Sequence, residues 1–374
     1  MTAYTLITGI DIYTPHNLIP AGVVAVRDGK IAFVGTKTGA RRVVSGPGLT
    51  TLDFKGHIAV PGFIDIHVHG GGGADFMDGT PDAAANVLET HLKKGTTSAV
   101  PTVMTASEDD IVRAISAVLE LRKAGKPLPE VLGLHLEGPF ISRDKSGAQP
   151  EKYIRPFDVG TLSAFIKAAK GTVRHVTLAP EIPKAGALVR YLKRKAIIAA
   201  AGHSNATFGQ AIKGLKAGIS HGTHLFNAMS GLFHRDPGLA GALLMDDAVS
   251  VELIADGIHV HPAVLRLVTR VKPLEKIVLV TDATRRTGLS QVPPRTAEGK
   301  LYGSAITLDI ALRNMVDWTG LPLTDILPMV TSNPACLMGA GNKKGALRKG
   351  ADADIVILDR RLRVKAVFLK GKRI

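Results

Sequence analysis

Residues 131–138 read VLGLHLEG, a short apolar run that closes on the acidic residue Glu137 and decides the fold once similar runs are placed beside it. Three of the similar runs end at His203, His224 and Asp282. The runs are almost continuously apolar, which is typical of parallel strands that are buried on both faces. Eight such runs follow one another in the middle of the chain: FIDIHVH, TSAVPTVM, VLGLHLEG, HVTLAPE, AIIAAAGHS, ISHGTHLFN, VSVELIADG and KIVLVTDA.

Amphipathic segments separate these runs, for example residues 82–95, 108–125 and 159–171. Eight strands with intervening helices predict an α/β fold, a TIM-like (β/α)8 barrel, in which the carboxyl ends of the strands supply the chemistry. An open, doubly wound sheet is the alternative. No G-x-G-x-x-G follows the first strand, so a dinucleotide-binding fold lacks its phosphate-binding turn.

The two ends of the chain have a different pattern, in which apolar and polar residues alternate. Asp28-Gly29 is a strong signal for a hairpin turn between two short strands. Neither end alone has enough strands to form a stable sheet. We therefore expect one small β-sandwich formed by residues 1–57 and 343–374, and a catalytic barrel over residues 58–342.

The composition points to the cytoplasm. Cys336 is the single cysteine of the 374 residues, so no internal disulfide can form, as suits a reducing compartment. The N-terminus lacks the basic and apolar regions of a signal peptide, and no apolar stretch is long enough to span a bilayer. We expect a soluble, cytoplasmic protein without a membrane partner.

The net charge of +15 is concentrated at the C-terminal end, where residues 343–374 hold eleven Lys or Arg against three Asp. A nucleic-acid surface is one interpretation of this surplus. A solvated face of small surface strands is the interpretation we favour, because the stretch has almost no aromatic residues to stack on bases. No nucleic-acid partner is expected, although a basic protein favours an anionic substrate.

The four strand-end residues form a set suited to a divalent metal and a general base. Glu137, His203 and His224 would leave a cation with open coordination positions, which is the pattern of a catalytic site. Asp282 could take a proton from an attacking water molecule. The alternatives are a salt bridge for Glu137 and ordinary core positions for the histidines. His135 is expected to lie deeper, in the core or behind the ligands.

The first strand ends in His67-x-His69, followed by four glycines. Residues i and i+2 of a strand point the same way, so both imidazoles would face the barrel mouth. A pair of buried, hydrogen-bonded histidines is the alternative to a metal site. His259 ends the seventh strand region and could bind substrate or polarise a carbonyl group, or it could be a loop histidine.

Arg235 follows the sixth run in the segment GLFHRDPG. Beside Asn227 and the backbone of Ala228, its guanidinium could hold a phosphate or a carboxylate. The alternative is a surface arginine that pairs with Asp236.

The motifs resemble those of the N-acetylglucosamine-6-phosphate deacetylase family of the amidohydrolase superfamily. HLEGPF, THLFNAM and DGIHV together are highly specific, whereas H-x-H and TDA are shared across the superfamily. The matching segments run in order along nearly the whole chain: PGFIDIHVHGGGGADF, TTSAVPTVMT, HLEGPFIS, LAPE, AGHSNAT, THLFNAMS, RDPGLAG, ELIADGIHVHP, LVTDA and GSAITLDIALRNMV.

The resemblance implies roles for the strand-end residues. Glu137, His203 and His224 match the ligands of the principal metal. Asp282 matches the catalytic acid and base, and His259 matches a substrate-contacting histidine that helps to polarise the acetyl carbonyl. Zn²⁺ is the first expectation, with Fe²⁺, Mn²⁺, Co²⁺ or Ni²⁺ as alternatives.

The resemblance also implies a sugar-phosphate substrate and a homodimer. Asn227, Ala228 and Arg235 match sugar-phosphate contacts, with Arg235 reaching across the dimer interface. His67 and His69 match a second metal site that only some members have, so one or two divalent ions per subunit are expected.

Two features depart from the family pattern. Gln149, in GAQP, stands where some members have a histidine; it can hydrogen-bond a sugar hydroxyl but cannot titrate. Residues 288–303 are shorter than the usual turn-rich segment beside the site, which bears on the substrate more than on the reaction.

Together these observations predict hydrolysis of the acetamide of N-acetyl-D-glucosamine 6-phosphate in amino-sugar metabolism. N-acetylgalactosamine 6-phosphate or another N-acyl amino sugar is the alternative within the same reaction class. A non-catalytic sugar-phosphate-binding barrel is a further alternative, but it would have no need of the intact ligand set and Asp282.

Overall fold

The computed structural model describes residues 4–14, 17–44, 49–121, 125–290, 292–297 and 299–374. Both chain ends contribute to one eight-stranded sheet, and the middle forms a parallel barrel. The strands of the terminal sheet are β1 (Thr5–Tyr13), β2 (Leu18–Arg27), β3 (Lys30–Gly35), β4 (Thr50–Asp53), β5 (Ile58–Pro61), β17 (Ile355–Leu358), β18 (Val364–Leu369) and β19 (Lys372–Arg373).

All eight predicted barrel strands are present, and neighbours in sequence pair in parallel. The first and last strands meet where the Asp282 amide donates to the His67 carbonyl at 2.9 Å, which nearly closes the ring. The barrel strands are β6 (Phe63–Val68), β9 (Thr96–Met104), β11 (Leu134–Glu137), β12 (Val173–Leu178), β13 (Ile198–Ala201), β14 (His221–Gly222), β15 (Ser250–Ile254) and β16 (Ile277–Val280). Short strands β7 (Gly70–Gly71), β8 (Ala74–Asp75) and β10 (Glu130–Val131) flank them.

Helices alternate with the barrel strands and begin at the caps that their sequences provide. The side chains of Thr80, Asp158 and Thr207 accept backbone N–H groups in the first turns of three helices. Residues 122–124, at the end of one predicted helix, lie outside the described residues. The helices are α1 (Lys37–Val43), α2 (Pro81–Leu92), α3 (Glu108–Leu121), α4 (Val159–Ala168), α5 (Ala185–Arg194), α6 (Phe208–Ala217), α7 (Gly238–Met245), α8 (Pro262–Val271), α9 (Leu308–Thr319), α10 (Leu323–Ile326) and α11 (Ser332–Leu337).

Alternation along the barrel strands separates an apolar outer layer from a polar interior. On β11, Leu134 and Leu136 join the large core that packs between strands and helices. His135 and Glu137 lie on the opposite face, toward the inside of the barrel. The barrel interior therefore carries the polar chemistry, and the layer beneath the helices carries the apolar packing.

The terminal sheet joins the two ends of the chain through the antiparallel pairing of β5 with β17. The predicted hairpin turn is confirmed: Asp28 and Gly29 have φ of 52° and 74°, as a type I′ turn requires, and β2 pairs with β3. Side chains from both ends share one core, separate from that of the barrel. β5 pairs with strands of this sheet, although the predicted barrel domain begins at residue 58. The boundary between the two domains stays a prediction.

Within the described part of the chain, no helix combines the length and apolar character needed to cross a bilayer.

A buried ion cluster links the terminal sheet to the barrel. Lys344 Nζ lies 2.6 Å from Asp354 Oδ2, 2.9 Å from Asp352 Oδ2 and 3.1 Å from Glu130 Oε2 of β10. Burial alone would lower the pKa of Lys344, but the attraction of Asp354, Asp352 and Glu130 raises it above its ordinary value. The lysine is therefore charged and compensates acids from both units.

We expect Lys344→Ala to lower the free energy of unfolding by about 3–5 kcal/mol, because it leaves the buried carboxylate of Asp354 without its cation, while Asp352 and Glu130 keep Lys30 and Lys370. Urea denaturation followed by circular dichroism measures this change. Lys343→Ala is the matched control, since Lys343 is exposed and the substitution removes the same charge at the adjacent position in the sequence. Equal stability of the two variants would contradict the role given to Lys344.

Candidate active site

The backbone at the carboxyl end of the barrel is bent sharply at three of the predicted site residues. His203, His224 and Asp282 have φ of 46°, 30° and 47°, in the left-handed region that side chains other than glycine rarely adopt. Each lies two residues beyond the last residue of its strand. Such backbone strain concentrates at functional sites, where the surrounding structure holds it in place.

The structure brings Glu137, His203 and His224 together. Glu137 Oε1 lies 3.1 Å from Nε2 of each histidine, and the two Nε2 atoms are 3.1 Å apart. His203 Nδ1–H donates to the carbonyl of Lys145 at 2.9 Å, and because a carbonyl can only accept, Nε2 keeps its lone pair. Three electron-rich atoms thus converge on one point, as the ligands of a cation do.

A second group, His67, His69 and Asp282, adjoins the first. His67 Nε2 lies 3.2 Å from His69 Nε2, and Asp282 Oδ1 is 3.5 Å and 3.3 Å from these two nitrogens. Glu137 faces this group as well, with Oε2 3.2 Å from His69 Nε2. The histidines are therefore neither isolated core residues nor a simple pair.

The electrostatics of the two groups suit a divalent cation. Burial alone would lower the pKa of His67, but the negative charges of Glu252, Glu137 and Asp282 raise it to about 9. Burial alone would likewise raise the pKa of Glu137, yet the positive charge of the neighbouring His67 holds it well below its usual range. The same negative charges that favour a protonated histidine also favour a bound metal ion.

Glu252 of β15 supports both groups from beneath and was not anticipated from the sequence. Its Oε2 accepts from His67 Nδ1–H at 2.9 Å and from the backbone N–H of His224 at 3.0 Å. Its Oε1 accepts from His221 Nε2–H at 3.0 Å. Carboxylates behind metal-binding histidines fix the ring tautomer and orientation. The available signal was an acid inside the apolar strand SVELI.

His135 occupies the deeper position that the sequence predicts. Its Nδ1 is 3.1 Å from the hydroxyl of Thr102 and its Nε2 is 2.8 Å from that of Thr177. The ring stacks on His175, with centroids 3.7 Å apart. It is a hydrogen-bonded residue of the barrel interior that packs against His67.

A cavity of about 230 Å³ opens above these groups. Gln149, Asn227, Ala228 and His259, which the sequence predicts to contact substrate, all line it. Arg235 does not: it is exposed in the loop before α7, and among the described residues it makes no ion pair with Asp236. The lining residues are His69, Met104, Glu137, Gly147, Ala148, Gln149, His203, His224, Asn227, Ala228, His259, Asp282, Thr284, Lys300, Leu301, Tyr302 and Gly303.

Gln149 contacts a predicted metal ligand directly. Its Nε2 donates to Glu137 Oε2 at 2.6 Å, and its Oε1 accepts from the backbone N–H of Thr105 at 2.8 Å. The amide is therefore held at both ends and orients the Glu137 carboxylate from the cavity wall. The sequence predicts a sugar contact here; it could not predict the contact with Glu137.

His259 is held by a neighbouring acid. Its Nδ1–H donates to Asp256 Oδ2 at 2.6 Å, which turns Nε2 away from Asp256. Burial alone would raise the pKa of Asp256, but the hydrogen bond and charge of His259 lower it. Asp256 can thus stabilise a positive charge on the imidazole. Asp256 was not anticipated from the sequence, although it stands three residues before His259 in ADGIH.

A (β/α)8 barrel with imidazole and carboxylate groups at the carboxyl ends of its strands has the architecture of a metal-assisted hydrolase. The chain belongs to the amidohydrolase family, whose sequence profile matches residues 58–374. Members of this family depend on metal ions.

Individual relatives resemble almost the whole chain. The N-acetylglucosamine-6-phosphate deacetylase of Bacillus subtilis is 37% identical over 99% of this chain and 97% of its own length. The N-acetylgalactosamine-6-phosphate deacetylase of Escherichia coli O157:H7 is 37% identical over 83% of this chain and 86% of its own. The crystal structure of N-acetylglucosamine-6-phosphate deacetylase from Pasteurella multocida superposes with a TM-score of 0.92 at 30% identity, covering 99% of both chains.

We expect Glu252→Gln to weaken metal binding at the His67–His69–Asp282 group by about 10-fold to 100-fold, because an amide can donate to Nδ1 and place the proton on the wrong nitrogen of His67. Binding at Glu137, His203 and His224 should change less, since a glutamine oxygen can still accept from the His224 backbone. Calorimetric titration of the metal-stripped protein measures both.

Glu275→Gln provides the matched control, because Glu275 is an exposed acid that belongs to neither metal group. Circular dichroism establishes that both variants are folded. If Glu252→Gln binds metal as the Glu275→Gln control does, Glu252 does not set the tautomer of His67.

Proposed function

We propose that this protein hydrolyses the acetamide of N-acetyl-D-glucosamine 6-phosphate to D-glucosamine 6-phosphate and acetate. One observation carries the proposal: the Asp282 carboxylate shares a cavity with the converging Glu137, His203 and His224 atoms. A cation site and a general base in one cavity are what amide hydrolysis requires. The named activities of the similar proteins from Bacillus subtilis and Pasteurella multocida support this substrate.

Glu137, His203 and His224 are the proposed ligands of the principal metal, and His67 and His69 of a second ion. The mixed nitrogen and oxygen donors fit Zn²⁺ best, while Fe²⁺, Mn²⁺, Co²⁺ and Ni²⁺ remain compatible with the same set. A divalent cation bound there would supply Lewis-acid polarisation of the acetamide carbonyl and a lowered pKa for water.

Asp282 is the proposed proton carrier. Its carboxylate removes a proton from the attacking water as the oxygen bonds to the carbonyl carbon, and the same proton then passes to the leaving nitrogen. Burial alone would raise the pKa of Asp282, but the positive charge of His67 and the hydrogen bond from His69 lower it, so the group begins as a carboxylate. The C–N bond breaks, and acetate and the free amine result.

The remaining cavity residues are proposed to position the sugar. His259 Nε2, with Asp256 behind the ring, can donate to the carbonyl oxygen when the imidazole is protonated. Asn227, the Ala228 backbone and Gln149 offer hydrogen-bonding groups to the sugar and its phosphate. Arg235, exposed and outside the cavity of its own subunit, is proposed to reach the site of the partner in a homodimer.

The protein is proposed to act in the cytoplasm on the free sugar phosphate, without a nucleic-acid or membrane partner. Its single cysteine suits a reducing compartment. Its net charge of +15 favours an anionic substrate.

N-acetylgalactosamine 6-phosphate is the second candidate substrate. The similarity to the Escherichia coli protein that is named for that activity favours it. The two sugars differ at a single hydroxyl group, so the same metal groups and the same Asp282 would serve either.

We expect acetate release to be fastest with N-acetylglucosamine 6-phosphate in a panel that also contains N-acetylgalactosamine 6-phosphate and both unphosphorylated sugars. Enzymatic detection of acetate gives kcat/KM for each, and metal content is measured on the same sample. Chelation should abolish activity and a divalent ion should restore it. Acetate release that is insensitive to chelation would contradict the proposed chemistry.

Asp282→Asn should lower kcat by about 100-fold to 10,000-fold, because asparagine cannot accept the proton from water. The exposed Asp317→Asn is the matched control and should keep full activity. A lower kcat could come from loss of proton transfer or from loss of the metal. Metal analysis separates these two causes, since Glu137, His203 and His224 are intact in both variants. Turnover near that of the unsubstituted protein would remove Asp282 from the mechanism.

A further inference from the structure

Residues 300–303, here called the pocket arm, form one wall of the cavity and belong to the segment that departs from the family pattern. Lys300, Leu301, Tyr302 and Gly303 all line the cavity that also holds Glu137. Among the described residues that line it, Lys300 is the one lysine or arginine. Lys300 is exposed, so the arm places a cationic residue at the cavity wall, above an acidic floor.

The pocket arm is fixed relative to the proposed proton carrier. The backbone N–H of Ser304, directly after the arm, donates to the Asp282 carbonyl at 2.7 Å. At the other end of the arm, the Thr296 N–H donates to the Lys300 carbonyl at 2.8 Å. Between them, the half-buried Tyr302 directs its hydroxyl to Met104 Sδ at 3.6 Å. These contacts tie the backbone of the arm to the Asp282 loop and to the cavity wall.

Nearby arginines are engaged elsewhere. Arg285 pairs with Asp78 at 2.8 Å, and Arg295 donates to the Gly299 carbonyl at 2.7 Å. Neither lines the cavity. Lys300 Nζ, in contrast, makes no hydrogen bond or ion pair with any described residue, so its three donors are available to a ligand.

The charge of the substrate decides where its phosphate can lie. A sugar phosphate carries about −1.5 to −2 charges at neutral pH, and Glu137 and Asp282 would repel it from the cavity floor. The acetamide must reach Asp282, so the phosphate lies at the other end of the sugar. Four residues of chain separate Lys300 from Ser304 and span at most about 14 Å, which keeps Lys300 near the loop that carries Asp282.

We infer that Lys300 binds the phosphate of the substrate from within the same subunit and selects phosphorylated over unphosphorylated amino sugars. The inference rests on the proposed deacetylase function and adds a specificity-determining residue to it. The phosphate would then contact two cations, Lys300 of the same subunit and Arg235 of the partner subunit.

The test is the ratio of kcat/KM for N-acetylglucosamine 6-phosphate to that for N-acetylglucosamine. Lys300→Met, which keeps the length of the side chain and removes the charge, should lower this ratio by about 10-fold to 100-fold, the effect of one charged hydrogen bond. Lys300→Arg should retain most of the ratio, because guanidinium also binds phosphate.

Lys343→Met is the matched control, since Lys343 is exposed and does not line the cavity, and it should leave the ratio unchanged. Arg235→Ala is measured in parallel. An unchanged ratio in Lys300→Met would overturn the inference and leave the proposed function standing. A different result, no acetate from either sugar with the unsubstituted protein, would overturn the proposed function itself.

Discussion

One buried carboxylate governs the arrangement of this site. Glu137 lies within 3.5 Å of the ring nitrogens of four histidines, His67, His69, His203 and His224. An isolated buried charge is costly, so these groups stabilise the fold only together, and best with a cation among them. Because the four imidazoles come from three separate strand ends, the barrel must close in its correct register before Glu137 is compensated.

The polar interior of the barrel keeps that arrangement rigid. Glu252 links His67, His221 and the backbone of His224, and Thr102 and Thr177 hold His135 beneath them. The hydrogen bonds of this buried network leave few alternative rotamers for the groups they join, although both ring nitrogens of His175 and the Nδ1 atoms of His69 and His224 have no hydrogen-bond partner among the described residues. The apolar layer between strands and helices stabilises the fold, whereas the polar interior sets the positions of the site side chains. Side chains held in this way are preorganised for the proposed cation.

Sequence pattern predicted the eight strands, the intervening helices and the contribution of both termini. Strands buried on both faces have continuous apolar runs, whereas strands with one exposed face alternate apolar and polar residues. It also predicted the converging residues, since the carboxyl ends of parallel strands meet at one mouth. Glu252 and Asp256 were missed, because an acid that hydrogen-bonds to another site residue need not follow any fixed sequence spacing from that residue. The contact of Gln149 with Glu137 was likewise hidden, as it joins a loop to a strand end.

The sequence by itself determined the type of fold and the chemical identity of the site: apolar runs of strand length fix a barrel, and the residues that end them fix a set of nitrogen and oxygen donors. Only the tertiary structure decided the geometry. The left-handed turns at His203, His224 and Asp282, the sharing of Glu137 between two groups and the position of Lys300 at the cavity wall all depend on where distant segments meet. Such distances are set by the packing of the whole barrel and leave no local pattern in the chain.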